Sequence, residues 1–426
     1  MLSIPAEIPK EKDNGHLVAI YAAIIGFLTY ASVYAFRKPF TVGIYADQPA
    51  IFGLAFKDAL VVSQLLGYAT SKFYGIRFIA ELKRIGRGKT MLLLVFISWM
   101  ALLLFALIPA PYNVVLLFIN GFPLGIIWGI IFSYAEGRRT TDLIGASLAV
   151  SFIFSSGFVK SVAKWVMLNF SVSETWLPFV TGSLFVLPML LFVYLLDKIP
   201  PPNEKDRLQR VERVALDQAG RKQLFKELRP ALILLIVAYV FLTIFRDIRD
   251  SFAANMWSEL GYGNQPSVFT KTEIPITLII LLIMGSMIII RNNKRALQII
   301  NWIVILGFLI AGGSSLLFWQ NQISGFTWMT LTGLGLYLGY IPFNCILFER
   351  LIAVYRKPAN VGFLMYLADS FGYLGSIGVL FVKTVLHLDM RWVDLYSRGV
   401  IFMSVAGIVL TLITILFFSK KFSAQQ

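Results

Sequence analysis

The sequence has very few of the residues from which metal centres, disulfide frameworks and most soluble active sites are built. Cysteine occurs once, at Cys345, and histidine twice, at His16 and His387. A single cysteine cannot form an intrachain disulfide, and so few thiol and imidazole groups exclude a zinc-type centre. The sequence also contains no Walker-type phosphate loop and no nucleophile elbow. We therefore expect no catalytic residues, no bound metal, no cofactor and no enzyme activity.

Charged residues are also scarce, and long hydrophobic runs take their place. Hydrophobic residues make up 58% of the chain and charged residues 14%, and the mean hydropathy is +0.75. Such a composition is unusual for a soluble domain. Continuous apolar runs of about 20 residues, the length that crosses a bilayer as a helix, predict an all-α membrane protein. Twelve such runs are present, at 16–36, 55–76, 90–109, 113–135, 144–168, 175–196, 230–254, 272–290, 297–319, 326–348, 359–386 and 397–419.

The positions of the basic residues predict the orientation of these helices. The net charge is +15, which would be compatible with a nucleic-acid partner, but lysine and arginine concentrate in alternate loops. They cluster at 77–89, 138–139, 197–229, 291–295, 350–357 and 420–421, whereas loops 110–113 and 320–325 contain none. This pattern is typical of cytoplasmic loops that contact anionic lipids. We expect both termini in the cytoplasm, a bilayer rather than nucleic acid as partner, and a multi-pass protein of a bacterial inner (plasma) membrane.

One long polar segment divides the chain into two similar halves. Residues 197–229 contain three consecutive prolines followed by a mixed-charge run, and six apolar runs lie on either side. This arrangement matches the major facilitator plan, in which two six-helix halves enclose a site near the middle of the membrane. We therefore divide the chain into an N-terminal half, 1–196, a cytoplasmic linker, 197–229, and a C-terminal half, 230–426. A monomer of this fold is sufficient for a transport cycle.

Cations within the apolar runs of the N-terminal half point to a buried polar site. Tyr30, Tyr34 and Arg37 follow each other at helical spacing, which places them on one helix face. They are either an interfacial aromatic belt with a snorkelling arginine, or part of a site for a polar ligand. Lys72 lies within the second run, where a cation costs roughly 2.5–3.5 kcal/mol to insert. We interpret Lys72 as functional, because a structural lysine would need a carboxylate partner. Lys160, deep in the fifth run, could add positive potential to the same cavity.

Charged residues in the C-terminal half allow two interpretations each. Arg246 is followed by Asp247 and Asp250, which either neutralise it as a helix-borne ion pair or adjust an arginine that binds substrate. An arginine can hold a phosphate or carboxylate through two parallel hydrogen bonds. Asp369, in the eleventh run, is either the partner of Arg246 or a proton-carrying site, and the first interpretation is preferred.

Several of these residues resemble the organophosphate:phosphate antiporters, a major facilitator family that includes glycerol-3-phosphate and hexose-phosphate transporters. The first helix contains Tyr30-x3-Tyr34-x2-Arg37-Lys38, the second contains Ser71-Lys72-Phe73, and the eleventh contains Phe371-Gly372-Tyr373-Leu374-Gly375. The resemblance implies that Arg37 and Arg246 clamp a phosphate from opposite halves. It also implies that Lys72 adds charge and that Tyr30, Tyr34 and Tyr373 donate hydrogen bonds to the anionic substrate.

The chain departs from that family at three positions of the implied site. The site histidine of the family aligns with Phe154, the tyrosine one turn before the second arginine is Thr243, and Asp369 stands where the family usually has no acid. These differences leave three hypotheses. The first is exchange of an organic phosphate or related anion for inorganic phosphate. The second is proton-coupled symport of an organic anion that uses Asp369. The third, ranked lowest, is a membrane receptor for a phosphorylated metabolite.

Overall fold

The computed structural model describes residues 15–81, 86–135, 141–201, 218–287, 289–355, 361–386 and 390–423, and within these residues the regular structure is helical. The N-terminal half contains α1 (Gly15–Tyr34), α2 (Phe56–Glu81), α3 (Arg87–Leu107), α4 (Val114–Ala135), α5 (Thr141–Asn169), α6 (Leu177–Leu184) and α7 (Val186–Asp197). The C-terminal half contains α8 (Gln218–Ser251), α9 (Ala253–Glu259), α10 (Val268–Met287), α11 (Asn293–Trp319), α12 (Gly325–Cys345), α13 (Leu347–Tyr355), α14 (Val361–Val385) and α15 (Trp392–Ser423).

Each predicted apolar run overlaps one helix or one bent pair of helices, and run 230–254 also reaches the first two residues of α9. Within the described part of the chain, eight helices are long and apolar enough to cross a membrane, or ten if each bent pair forms one span. The pairs α6–α7 and α12–α13 bend by 46° and 49°. The helical membrane protein is therefore confirmed, whereas the count of twelve spans and the cytoplasmic position of the termini stay predictions. Helix α8 begins at Gln218, inside the segment predicted as a linker, and much of residues 197–229 lies outside the described residues.

The first helix ends earlier than predicted. Side chains of neighbouring helices donate hydrogen bonds to the backbone carbonyl groups that follow its end. Helix α1 stops at Tyr34, and Arg37 lies in the turn that leads to a short 3-10 helix, Pro39–Val42. The amide of Asn120 donates to the Phe36 carbonyl at 2.9 Å, and that of Gln64 donates to the Arg37 carbonyl at 2.9 Å. Non-helical backbone at membrane depth is tolerated only where protein groups bond it in this way. The expectation that Arg37 continues the helix face of Tyr34 is therefore wrong, although its side chain stays close to that ring.

Helices α2 and α4 pack closely because a glycine on each helix faces the backbone of the other. A Cβ atom added to Gly121 would overlap the carbonyl oxygen of Gln64, and one added to Gly67 would overlap the carbonyl oxygen of Phe118. Small residues at such crossings allow the helix backbones to approach, which is the usual basis of helix packing in membranes. This contact positions the face of α2 that carries Lys72.

The helices pack into two groups that meet along a few long contacts. In the N-terminal half α1 packs on α5 and α4 packs on α2 and α3, while in the C-terminal half α8 packs on α14 and α15 and α11 on α12 and α15. The groups meet where α5 contacts α10 and α12, and where α2 contacts α14. These interfaces carry the charged residues on which the predictions depend. The domain boundaries at 196 and 230 stay a prediction.

Candidate functional site

Arg37 presents its guanidinium group to two tyrosine rings. The guanidinium carbon lies 4.1 Å from the centroid of Tyr68 and 5.6 Å from that of Tyr34. Its Nε atom is buried without a hydrogen-bond acceptor. Stacking on aromatic faces stabilises an arginine, but it neither neutralises the charge nor satisfies its N–H groups. Arg37 is therefore a partly buried cation with donors to spare.

Tyrosines and Lys72 complete the N-terminal side of this cluster. The rings of Tyr30 and Tyr34 meet edge to face at 5.4 Å, and both side chains are buried. The ammonium group of Lys72 lies 5.0 Å from the ring of Tyr68 and 6.0 Å from that of Trp128. The ring of Tyr68 is therefore close to both cations, Arg37 and Lys72.

Arg246 has a carboxylate partner next to it in the sequence. Its guanidinium group pairs with the Asp247 carboxylate at 2.5 Å, and the Ser376 hydroxyl donates to the other oxygen of Asp247 at 2.8 Å. The Arg246 side chain is 13% exposed and lies over the ring of Tyr340 at 4.2 Å. Its Nε atom is also buried without an acceptor. The preferred expectation that Asp369 is the ion-pair partner of Arg246 is wrong, because Asp247 takes that position.

Asp369 instead belongs to a hydrogen-bonded group of neutral side chains. The Tyr239 hydroxyl donates to its carboxylate, and the Asn344 amide donates to the Tyr239 oxygen at 3.1 Å. The carboxylate is partly buried, and Lys72, Arg246 and Asp247 are close enough to act on it electrostatically. Asp369 is thus an acid that faces a lysine of the opposite half.

Aromatic rings join the two sides of the cluster. The ring of Tyr68 meets that of Tyr373 edge to face at 5.5 Å, and Phe152 lies 6.0 Å from Tyr340. Tyr373 is also within electrostatic reach of Arg37 and of Arg246. The structure therefore brings together all six residues for which substrate binding was predicted: Tyr30, Tyr34, Arg37, Lys72, Arg246 and Tyr373.

Asp250 and Lys160 lie in a separate charged group that joins the halves at one end. Asp250 pairs with Lys38 and, at 2.5 Å, with Lys160, and it accepts a hydrogen bond from Ser156. Its partners therefore come from the opposite half, and Asp250 is not the residue that balances Arg246. Lys160 is neutralised here, which argues against the expectation that it adds free positive potential to the cavity.

Two further contacts strengthen the same end of the interface. Lys57 donates to the Asn255 amide oxygen at 2.6 Å, and Lys383 pairs with Asp58 at 3.2 Å. The ion pairs of Asp250 with Lys38 and Lys160, and that of Lys383 with Asp58, join the halves at this end, opposite to the end at which α7 finishes and α8 begins. The halves are therefore held together on one side of the cluster.

Sequence reasoning missed the aromatic and amide residues that surround the charges. Tyr68 precedes Lys72 by one helical turn and Tyr239 precedes Arg246 by two turns, so both lie on the same helix faces as the cations. Tyr340 and Asn344 share a face of α12 in the same way. The spacing could have identified them once the charged residues were chosen.

The overall fold is that of known transporters. The nucleoside transporter NupG aligns with a TM-score of 0.61 at 14% identity and covers 94% of this chain and 99% of its own. The xylose transporter XylE from E. coli aligns with a TM-score of 0.58 at 16% identity, covering 95% of this chain and 98% of its own. A bacterial homolog of the human lysosomal transporter Spinster aligns at 0.56 and 13% identity, with 96% and 97% covered. These similarities show the major facilitator fold and do not identify a substrate.

Comparison by sequence is less informative about function. No curated protein matches the chain significantly. Residues 39–421 match the family of unknown function DUF5690. The matched region includes α2 to α14 and all but the last two residues of α15, together with most of the cluster of charged residues, whereas Arg37 lies before it.

Proposed function

Because the chain belongs to DUF5690, a family of unknown function, and has the major facilitator fold, we propose that it is a secondary active transporter of an organic anion. We further propose that the substrate is an organic phosphate or a related anion and that it is exchanged for inorganic phosphate. The observation that carries the proposal is the cluster of three cations between the two halves.

Arg37 supplies the strongest argument for an anion. Among the described residues its guanidinium group has aromatic neighbours but no carboxylate, and its Nε lacks an acceptor. An unpaired cation that is partly removed from water is costly, and an anion that accepts from it recovers much of that cost. Arginine provides a planar pair of donors that fits phosphate and carboxylate groups. A substrate anion is thus the natural partner of Arg37.

The arrangement of the halves supports movement of that anion. Arg37 and Lys72 belong to the N-terminal half, and Arg246 and Tyr373 belong to the C-terminal half. A substrate held between them is exposed to one side or the other when the halves rock. The contacts of Asp250, Lys57 and Lys383 close one side of the cluster, as one state of such a cycle requires.

Uptake into phosphate-loaded proteoliposomes tests the proposal. We expect external organic phosphates to enter only when phosphate is present inside, and Arg37→Ala to abolish uptake because the anion loses its principal donor. Arg398→Ala is the matched control, since that arginine is exposed and lies over Trp319, away from the cluster. Uptake that is unchanged in a folded Arg37→Ala variant would refute the role of this arginine. Binding without any flux would favour a receptor.

The partner of Asp369 favours proton-coupled symport as the second candidate. A carboxylate that is bonded by a tyrosine hydroxyl and is not paired with Arg246 can gain and lose a proton as its surroundings change. On this alternative an imposed pH gradient drives uptake into liposomes that contain no phosphate. Asp369→Asn should then abolish gradient-driven uptake but leave exchange between labelled and unlabelled substrate.

A further inference from the structure

A small cavity lies between the halves at their closed end, apart from the cluster of cations that carries the proposed function. Its walls include Gly157 and Lys160 of α5 and Asp250 and Glu273 of the opposite half. A Cβ atom added to Gly157 would lie 2.5 Å from the Cγ atom of Glu273, so this glycine allows α5 to approach α10. The cavity offers a water-sized molecule a volume of about 10 Å³, which is room for about one.

Glu273 brings an unsatisfied acceptor to this cavity. Its side chain belongs to a residue that is only 8% exposed. The Oε1 atom accepts from the guanidinium group of Arg249 at 2.7 Å, whereas Oε2 is buried without a hydrogen-bond partner. The hydroxyl of Thr272, which also lines the cavity, donates to carbonyl groups of its own helix. A buried carboxylate oxygen without a donor is unfavourable, so this atom calls for a ligand that donates.

Lys160 brings an unused donor from the opposite half. Its ammonium group donates to the carboxylate and to the backbone carbonyl of Asp250, each at 2.5 Å. An ammonium group has three N–H donors, so these two bonds leave one. Glu273 is within electrostatic reach of Lys160, but the ion pair of each is made with another residue. The two groups therefore face one cavity with a donor and an acceptor that do not meet directly.

The charges on the walls restrict what the cavity can hold. Lys160 and Arg249 line it together with Asp250 and Glu273. A metal ion or an ammonium ion would meet two like charges there, and so would an anion, which is unfavourable in a desolvated site. A neutral molecule avoids both. Water is neutral, fits the volume, and can accept from one neighbour while it donates to another.

We propose that the cavity binds one water molecule, which accepts a hydrogen bond from Lys160 and donates one to the Oε2 atom of Glu273. Lys160 then holds two carboxylates of the opposite half, Asp250 directly and Glu273 through the water. A bridging water is nearly as favourable as a direct hydrogen bond. The closed state of this end therefore includes the water as a structural part. This inference goes beyond the proposed function, because it does not depend on the substrate.

A structure of the purified natural protein that resolves ordered interior waters tests the site directly. We expect one density peak at about 2.7–3.2 Å from both the Nζ atom of Lys160 and the Oε2 atom of Glu273. No peak there, while other interior waters are visible, overturns the proposal. So does an ion at this place, or a protein donor that bonds Oε2 instead. This measurement decides the site even if a variant fails to fold.

Replacement of Ala253 by valine should displace the water without changing a charge. Ala253 and Ala254 are both buried on α9, at 7% and 8% exposure, and only Ala253 is among the residues that line the cavity. The reporter is a single thiol, Ser161→Cys with Cys345→Ser, because Ser161 bonds Thr270 across the same interface. We expect Ala253→Val to lose the density peak and to speed thiol modification by roughly tenfold, as for loss of a hydrogen bond to a charged group. Ala254→Val, the matched control, should keep the peak and change the rate far less.

A second substitution links the water to Glu273. Glu273→Gln keeps the shape of the side chain and removes the charge of the acceptor, so adding Ala253→Val to it should speed modification less than Ala253→Val does alone. An equal effect in both backgrounds overturns the bond to Glu273. An unchanged rate in a folded Ala253→Val protein that has lost the peak overturns the contribution of the water to closure. None of these outcomes requires an anion to bind, so the proposed transport is tested separately by uptake.

Discussion

Replacement of Asp250 by asparagine should release the closed end of the structure. Asp250 is the common partner of Lys38 and Lys160, whose side chains are only 6% and 5% exposed. Without the carboxylate, two buried ammonium groups lose their counter-ion. Removal of one member of a buried ion pair typically costs about 3–5 kcal/mol. The penalty falls on the state in which the halves meet at this end, since opening would hydrate the lysines.

The size of the effect follows from the lower limit of that range. A penalty of about 3 kcal/mol changes the ratio of closed to open states by roughly 100-fold. A state that is dominant in the natural protein would become comparable with, or minor to, the open state. The remaining contacts of Lys57 and Lys383 are unchanged, so the halves should still fold.

Thiol modification measures this shift directly. Cys345 is the only cysteine, so Cys345→Ser provides a background in which Ser161→Cys is the single thiol. Ser161 lies on α5 and bonds Thr270 of the opposite half at 2.6 Å, so a thiol there reports opening of this interface. We expect Asp250→Asn to speed its modification, and Asp394→Asn to leave the rate unchanged. Equal rates and equal melting temperatures in all three proteins would show that the ion pairs do not hold this end closed.

Three further predictions concern the positions of the site residues. Arg37→Lys keeps the charge but loses the planar pair of donors, so substrate affinity should fall by about tenfold or more in a binding titration, with folding retained. Asn120→Leu leaves the Phe36 carbonyl unbonded, which should cost about 1–3 kcal/mol and lower both the melting temperature and the affinity; normal affinity would show that the turn does not depend on this amide. Gly121→Ala should destabilise the protein because its Cβ would overlap backbone, whereas Gly285→Ala, which meets nothing within 4 Å, should not lower the melting temperature. Equal melting temperatures of the two alanine variants would argue against close packing of α2 on α4.

The helices could be predicted from sequence because bilayer thickness imposes long apolar runs whatever their packing. The proximity of Arg37, Lys72 and Arg246 to one another could be expected, because a cation within such a run is costly in lipid and usually faces a polar cavity. The carboxylate that pairs with each cation could not be predicted, because the pairing depends on helix rotation and on which half supplies the counter-ion. Asp247 pairs with the arginine beside it, while Asp250, three residues later, faces lysines of the other half. Hydropathy contains no term that distinguishes these two carboxylates.

The end of α1 at Tyr34 could not be predicted from the local sequence either. Local sequence continues the apolar pattern to residue 36, yet the helix ends at Tyr34, and the carbonyl groups of Phe36 and Arg37 accept hydrogen bonds from Asn120 and Gln64 instead. Those amides come from other helices and are distant in the sequence. Only tertiary structure reveals that they support the residue expected to bind the anion.

The adjacency of Arg246 and Asp247 has a consequence for the electrical behaviour of the proposed cycle. Both charges belong to one helix, so they cross the membrane field together as a neutral unit. Movement of this helix through the field therefore transfers no net charge from the pair. Arg37 differs in this respect, because its guanidinium group has no carboxylate among the described residues, and a charge that crosses the whole field is worth about 2.3 kcal/mol per 100 mV. The membrane potential would then act on the cycle through Arg37 and the charge of its bound anion, rather than through Arg246.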